Sequence, residues 1–367
     1  MPRQTVSIVV LFGGQSGEHE VSLNSAQSVI QAINRSRYII KTVAISPQGQ
    51  WYWGVQPEEI MMKGFPIGEA ANLVTLVHDP TQPHFRSLTG RPLPDDGKFD
   101  IIFPILHGPF GEDGTVQGLL EMASVPYVGS GVLGSALGMD KDRMKAVFVN
   151  SGLPVGKYLT FLRSEYRAHP ERCLNHIETA LGYPCFVKPA NLGSSVGISK
   201  AHDRAELERA LELAAIYDRK LVIEENIPGR EVEVSVLGND QPMASLPGEI
   251  LPAREFYDYE AKYIDAGSRL LIPADLAPGV VAQLQEIAVQ AFRAVEACGL
   301  ARVDFFVTPD NRIMLNEINT LPGFTEISMY PKLWEISGIP YSELIDRLIE
   351  LGFERFRDSR NRKIART

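Results

Sequence analysis

The sequence predicts an α/β protein of more than one domain, and three observations carry that expectation. The chain has 367 residues, more than the ~100–200 that one core ordinarily holds, so two or three domains are expected. It opens with VSIVVLFGG, SGEHE and VSLNSAQSVIQAIN. There an apolar run ends in two glycines and passes into a helical pattern, the strand–loop–helix unit of α/β domains. Further on, REVEVSVLG (230–238) alternates valines with polar residues at the period of a half-buried strand, and RVDFFVTPDNRIMLNEIN (302–319) reads as a hairpin.

The elements follow in order. YIIKTVAIS (38–46) and FDIIFPIL (99–106) read as further buried strands, and TVQGLLEMA (115–123) as a helix. Residues 55–98, rich in prolines and polar residues around LVTLV, read as an irregular peripheral insertion. YVGSG marks a boundary near Val128–Gly131. A helix follows around Lys141–Asn150, then a strand at Tyr183–Val187, a glycine-serine loop at Asn191–Gly197 and the run VGISK. Ala205–Tyr217 is helical, LVIEE (221–225) is a strand, and Ile227–Gly229 is a second hinge. Val280–Ala297 reads as a helix, and the polar tail Asp358–Thr367 is expected to fray. These boundaries divide the chain into 1–129, 130–227 and 228–367, with the insertion spanning about 51–98. No internal repeat is present.

Composition narrows the function. Hydrophobic residues at 44% and charged residues at 22% are ordinary for a folded chain. The formal charge of -9 argues against a nucleic-acid partner, so any nucleotide must sit in a local basic cluster. Cys173, Cys185 and Cys298 are three in number and scattered, with the pattern of neither a disulfide framework nor a paired metal site, which fits a reduced compartment. The first apolar run, Val6–Phe12, is far shorter than a membrane span, and only Arg3 is basic before it. With no cleavage-site pattern it reads as a strand, so a cytoplasmic protein with no membrane partner is expected.

The hairpin carries the most chemistry. If Asp310 and Asn311 form a two-residue turn, outward counting sets Asp304 opposite Glu317 and Arg302 opposite Asn319. Alternation then places all four side chains on one face. Two carboxylates and an amide oxygen make a hard-oxygen site suited to magnesium, and Arg302 adds a cation for developing negative charge. The same pattern also describes a solvated hairpin, and a one-residue slip would separate the set.

Other segments add candidates. FVKPANLGSSVGIS (186–199) puts Lys188 at a strand end before Gly193, Ser194, Ser195 and Gly197. Glycines admit close backbone approach to phosphate, and the hydroxyls add donors. The lysine precedes the glycines, so this is not the Walker order. A strand–loop–strand arrangement would make a flap over phosphates, while the bland alternative is an ordinary hairpin loop. Lys141 in MDKDRMK is a second cation. LVIEENIPGREVEV offers backbone groups to an adenine edge, and Glu231 to ribose hydroxyls, or simply forms an acidic solvated hinge.

Glu18, in GGQSGEHEVSL, stands before a helix that Ser22 can cap, and it can bind an ammonium group. His107 ends a strand before a glycine-rich loop, a favourable place in an open α/β sheet. FYDYEAKYIDAGSRL (256–270) is an aromatic loop containing Lys262 and Tyr263, of a kind that can close over a ligand or pack on a core. Ser328 precedes Pro331 at a helix start whose N–H groups can receive a carboxylate, and Gly323 can present its own N–H.

Together, GGQSGEHEVSL, LHGPFGEDGTVQGLLE, MDK, FVKPANLGSSVG, YDYEAKY and RVDFF…NEINTLPGFT resemble the D-alanine–D-alanine ligases, members of the ATP-grasp family. The segments occur in the family's order along nearly the whole chain. The resemblance implies an N-terminal α/β domain followed by two domains clasping ATP. It implies ATP contacts from Lys141, Lys188, Ser194, Ser195 and Lys262, with Glu224, Glu225, Ile227 and Glu231 around adenine and ribose. It implies magnesium, as two ions with manganese as a substitute, on Asp304, Glu317 and Asn319. Glu18 and His107 would hold the first D-alanine, and Ser328 and Met329 the second. Glu18, Ser194 and Tyr263 resemble the family's linked triad, and Arg302 and the Gly323 N–H its oxyanion stabilisers. Tyr263 within EAKY looks like the dipeptide-forming type rather than the type that joins D-alanine to D-lactate. The resemblance also implies a homodimer that makes D-alanyl-D-alanine for bacterial peptidoglycan through a D-alanyl phosphate. The segment from about Trp51 to Lys98, which shorter relatives lack, is the main departure.

Overall fold

A computed structural model describes residues 5–68, 71–251 and 269–361. Within these residues lie three main sheets and a two-stranded ribbon. None of the described helices is long and apolar enough to cross a membrane.

The first sheet contains β1 (Val6–Gly13), β2 (Tyr38–Ile45) and β3 (Trp51–Trp53), and the next strands are β4 (Val74–Leu76), β5 (Phe85–Ser87) and β6 (Ile101–Leu106). Its order is β3-β2-β1-β6, with β1 parallel to both β2 and β6. A parallel strand covered on both faces is apolar throughout, which is why β1 and β6 read as continuous runs. Gly13 ends β1 at φ 91°, where a Cβ would lie 2.2 Å from the Ile45 carbonyl, so only glycine fits. The following helix, His19–Ala32, starts at Glu18 and not at Ser22. Ser22 lies inside it, accepts from the Gly13 N–H at 2.7 Å and donates to the Ile105 carbonyl, locking helix to sheet.

The 51–98 segment is not an irregular periphery. It supplies β3, the helix Pro57–Lys63 and the β4–β5 ribbon, and buries Trp53, Val74, Leu76 and Phe85 in one core with Val9, Leu11 and Leu120. Three-residue strands are too short to show a period. The capping box between Gln56 and Glu59, with Pro57 in the first turn, was the readable signal.

The second sheet holds β7 (Tyr158–Leu162), β8 (Cys185–Pro189), β9 (Ser199–Ala201) and β10 (Lys220–Glu225), all antiparallel in the order β7-β10-β8-β9. β8 begins two residues later than the tyrosine at which the sequence predicts it. Leu174 and Ile177 from one helix, and Leu207 and Leu211 from another, cover this sheet.

The third sheet is built from β11 (Arg230–Gly238), β12 (Met243–Ala244), β13 (Gly248–Leu251), β14 (Arg269–Leu271), β15 (Gly299–Val307) and β16 (Ile313–Asn319). Its main path is β14-β13-β11-β15-β16. β11 is not half-buried as its alternation predicts, because both faces are covered. Glu233 pairs with Arg302, and Ser235 donates to the Tyr330 carbonyl at 3.2 Å, so the polar face is internal and held by partners from other elements. The helix Pro278–Ala294 packs beneath, and Met144 and Phe148 of the helix Lys141–Asn150 enter the same core.

The last helices, Met329–Ile336 and Tyr341–Arg360, turn back onto the first sheet. Trp334, Leu344 and Leu348 share a core with Ile8, Val10 and Phe103. Leu344, Ile345, Leu348 and Ile349 form the buried stripe of the final helix, each contributing about 1.5–3 kcal/mol relative to exposure. That helix runs on through Asp358 to Arg360, where the sequence predicts fraying. The end of the tail lies outside the described residues.

Candidate active site

The three sheets face a common cavity of about 1200 Å³. Every candidate site residue that is described lines it, from Glu18 at the start of the chain to Met329 near its end. Lys262 and Tyr263 lie outside the described residues.

The hairpin has the pairing the sequence predicts, reached by a different route. Asp304 stands opposite Glu317, and Arg302 opposite Asn319. The turn, however, is not the dipeptide Asp310–Asn311. Val307 already pairs with Ile313, and Thr308 closes the loop through its N–H to the Arg312 carbonyl at 3.0 Å, with Asn311 at φ 60°. That register is one residue short. A bulge at Asn316 restores it, since Phe305 pairs with Leu315 while Asp304 pairs with Glu317. Val303, Phe305, Leu315 and Ile318 are buried in the core, and the four polar residues line the cavity.

Arg302 grips Asp304 with two bonds of 2.8 Å and lies 3.0 Å from Glu233. Burial opposes its charge, but the two carboxylates outweigh that and hold its pKa well above the usual value. Asn319 donates to Asp304 at 3.0 Å. A half-turn of that amide would present its oxygen instead. Among the described residues no three His, Cys, Asp or Glu side chains form a metal cage. Two acids and an amide nonetheless make a hard-oxygen set that fits magnesium when a ligand supplies further oxygens.

A buried ion cluster underlies the facing wall. Lys188 on β8 lies 2.8 Å from one oxygen of Glu224 on β10, and Lys145 lies 3.2 Å from the other. Burial lowers the Lys145 pKa. At Lys188 burial also acts downward, but the attraction of Glu224 prevails and the net direction is up. Burial would raise Glu224, yet the two ammonium groups hold it below the ordinary value. Lys145 is absent from the sequence-derived candidates. Its signal was there, because it stands one helical turn after Lys141 in KDRMK and so shares its face. Lys141 donates to the Leu192 carbonyl at 2.8 Å and lies 3.6 Å from Glu317, linking the glycine-serine loop to the hairpin. Glu225 accepts from the Lys157 N–H at 2.7 Å, Ile227 packs against Gly156, and Glu231 lies opposite Phe306 on the neighbouring strand.

Glu18 sits in a box of three loops. Ser194 donates to one carboxylate oxygen. A Cβ at Gly193 would lie 2.8 Å from the other oxygen, and one at Gly108 would lie 2.7 Å from it. Ser194 and Ser195 adopt φ of 49° and 59° in the connection between β8 and β9, which pair as the flap arrangement predicts. His107 is buried, and burial depresses its pKa more than Glu18 raises it, so the ring is neutral. It bonds the Leu321 carbonyl at 3.0 Å and Ser25 at 3.3 Å. Ser328 occupies the N-cap of Met329–Ile336, but its hydroxyl accepts from the Thr325 N–H at 3.1 Å instead of capping the helix. Gly323 faces that hydroxyl, which would lie 3.3 Å from an added Cβ.

Glu112 is a second residue that sequence reasoning passed over. It accepts from the Gly108 N–H at 2.9 Å, and burial together with nearby Glu18 pushes its pKa up to about 8. A carboxyl with a raised folded pKa binds its proton more tightly in the folded state. Its contribution to stability is therefore complete below the ordinary value of 4.5 and is lost as pH climbs through about 8. Glu112→Gln mimics the neutral form. The melting temperature of the native chain should accordingly fall relative to this variant across that window. A constant difference would show that Glu112 is not held protonated.

Family models described as the N-terminus and the C-terminus of D-ala D-ala ligase match residues 7–130 and 147–350. The chain is 53% identical to a D-alanine–D-alanine ligase of Heliobacterium modesticaldum, over 100% of this chain and 99% of the relative. It is 48% identical to one of Bacillus cytotoxicus, over 98% of each. Among solved structures it superposes on the D-alanine–D-alanine ligase of Coxiella burnetii with a TM-score of 0.82 at 38% identity, covering 97% of both chains. It superposes on the VanG D-Ala:D-Ser ligase of Enterococcus faecalis with a TM-score of 0.85 at 38% identity, covering 95% of this chain and 100% of that one.

Proposed function

The chain belongs to the D-alanine–D-alanine ligase family, and on that premise we propose that its cleft joins two D-alanine molecules into D-alanyl-D-alanine for peptidoglycan while cleaving ATP to ADP and phosphate. The observation that supports this most is the gathering of Glu18, the lysines and the β15–β16 acids around one cavity.

The first D-alanine lies with its ammonium on Glu18, beside neutral His107. Its carboxylate oxygen attacks the γ-phosphorus of ATP, the bond to the bridging oxygen breaks, and ADP departs from a D-alanyl phosphate. Lys141 and Lys188 hold the phosphates under the Ser194–Ser195 flap, and Glu225, Ile227 and Glu231 surround the nucleoside. Glu224 keeps Lys188 in place. Asp304, Glu317 and Asn319 would hold magnesium, one ion or two, which supplies charge neutralisation along the phosphates. The second D-alanine places its carboxylate at the helix start around Ser328 and Met329. Its amine, after losing a proton, attacks the activated carbonyl, and phosphate leaves. Arg302 and the Gly323 N–H stabilise the oxyanion. Water must be kept from the acyl phosphate, which it would otherwise hydrolyse. In this reading residues 1–129 carry the first subsite, 130–227 one ATP wall, and 228–367 the metal and second subsite. A cytoplasmic homodimer completes it, and the free state of Cys173, Cys185 and Cys298 supports a reducing compartment.

Phosphate release from ATP and magnesium should require D-alanine and not respond to L-alanine. Release independent of D-alanine would refute the assignment. Because one structural relative is named a D-Ala:D-Ser ligase, the product is best identified by mass with D-serine and D-lactate offered beside D-alanine. The box around Glu18 adds a prediction. Gly193→Ala would push the Glu18 carboxylate off its position, raising the KM for the first D-alanine about tenfold, or ~1.4 kcal/mol of binding. An unchanged KM would remove Glu18 from that subsite.

A further inference from the structure

The bulge in β16 needs a cause, because Glu317 faces the cavity only through it. Ile313 and Leu315 point into the core, and strict alternation from there would send Glu317 inward and Ile318 outward. Instead Asn316 takes up the extra residue, Ile318 is buried, and Glu317 and Asn319 stand with Asp304. A bulge leaves one backbone group out of the ladder, and that group needs a partner.

One helix turn provides the partner. Residues 141, 144 and 145 share a face of the helix Lys141–Asn150. Lys141 lies 3.6 Å from Glu317, Met144 accepts from the Ile318 N–H through its sulfur at 3.4 Å, and Lys145 donates to the Asn316 carbonyl at 2.9 Å. Three side chains thus contact three consecutive residues of β16. Lys145 is 3% exposed, and it also lies 3.2 Å from Glu224 on β10, whose other oxygen holds Lys188. It therefore ties the bulge to the opposite wall of the cleft.

We propose that Lys145 is a positioning residue that pins the Asn316 bulge and so keeps Glu317 and Asn319 turned to the metal site. This rests on the assignment of Asp304, Glu317 and Asn319 as metal ligands. Lys145→Met keeps the length and apolar stem of the side chain but removes the donor to Asn316. Lys145→Arg keeps donors and charge.

The test is Mn²⁺ binding to the full chain with ADP, followed by electron paramagnetic resonance without turnover, beside steady-state kinetics. Loss of a group that orients ligands typically costs about 10–100-fold in metal affinity, and that is the loss expected for the Met variant. Its KM for D-alanine should stay within about twofold, since a role confined to the metal side leaves ground-state binding of the amino acid alone. Lys145→Arg should recover part of the Mn²⁺ affinity. If the Met variant binds Mn²⁺ as the native chain does, the inference fails and the ligase assignment stands. If the native chain binds no Mn²⁺ with ADP, or if Asp304→Asn binds it undiminished, the metal assignment fails and takes the inference with it. Should Met at this position prevent folding, Lys145→Gln, which drops the charge and shortens the donor, is read by the same Mn²⁺ comparison.

Discussion

Glu317→Gln is expected to all but abolish turnover and to leave the fold standing. The amide has the volume of the carboxylate, keeps the β15–β16 pairing opposite Asp304, and sits on the cavity side of the strand rather than in the core. It removes one of the two negative charges of the hairpin on the face where Asp304 and Asn319 also stand. Loss of one well-placed electrostatic group in an active site typically costs about 10²–10³ in kcat, and a change in a ligand that must balance phosphate charge belongs at the upper end. Single-turnover phosphate release measures the loss, and a thermal melt checks the fold. Activity within a few-fold of the native chain, from a folded variant, would sink the metal assignment.

Arg302 should separate catalysis from stability when replaced in two ways. Its guanidinium lies between Asp304 and Glu233, both largely enclosed. Arg302→Met leaves two carboxylates facing each other without a cation, and breaking such a buried arrangement typically costs about 3–5 kcal/mol. That variant should melt well below the native chain and show no activity. Arg302→Lys keeps the charge but not the two-pronged grip on Asp304. It should fold and still lose about 10²–10³ in kcat if the guanidinium stabilises the oxyanion. A lysine variant with native kcat would assign Arg302 to structure alone.

What the sequence made legible follows from the length of each pattern. β1 and β6 are long apolar runs because parallel strands are covered on both faces, and they could be read directly. β11 could be located but not its burial, because the polar partners of Glu233 and Ser235 come from residues about 70 and 95 positions away. The insertion was opaque because β3, β4 and β5 are three residues each. In the site, motif order placed the first ring of residues, from Glu18 to Met329. Glu112 escaped because a buried ionisable group is recognisable only by what surrounds it, and Lys145 showed only its helical spacing from Lys141, since Glu18, Glu224 and Asn316 are distant in sequence. The hairpin is the most instructive case. Counting from Asp310–Asn311 gave the pairing of Asp304 with Glu317 although the turn is one residue different, because the Asn316 bulge cancels the error. The break in alternation between Leu315 and Ile318 was its one mark in the sequence.

The final helix completes a core that Ile8 and Val10 begin. During synthesis the ribosome releases the first sheet long before the last part of its covering exists. The helix His19–Ala32 covers part of one apolar face of β1 and β6, and the rest of that core is completed only when residues 341–360 emerge. The middle sheet, with its own core of local contacts, has no such wait. The amino-terminal layer thus depends for part of its core on residues 341–360, whereas the middle sheet does not.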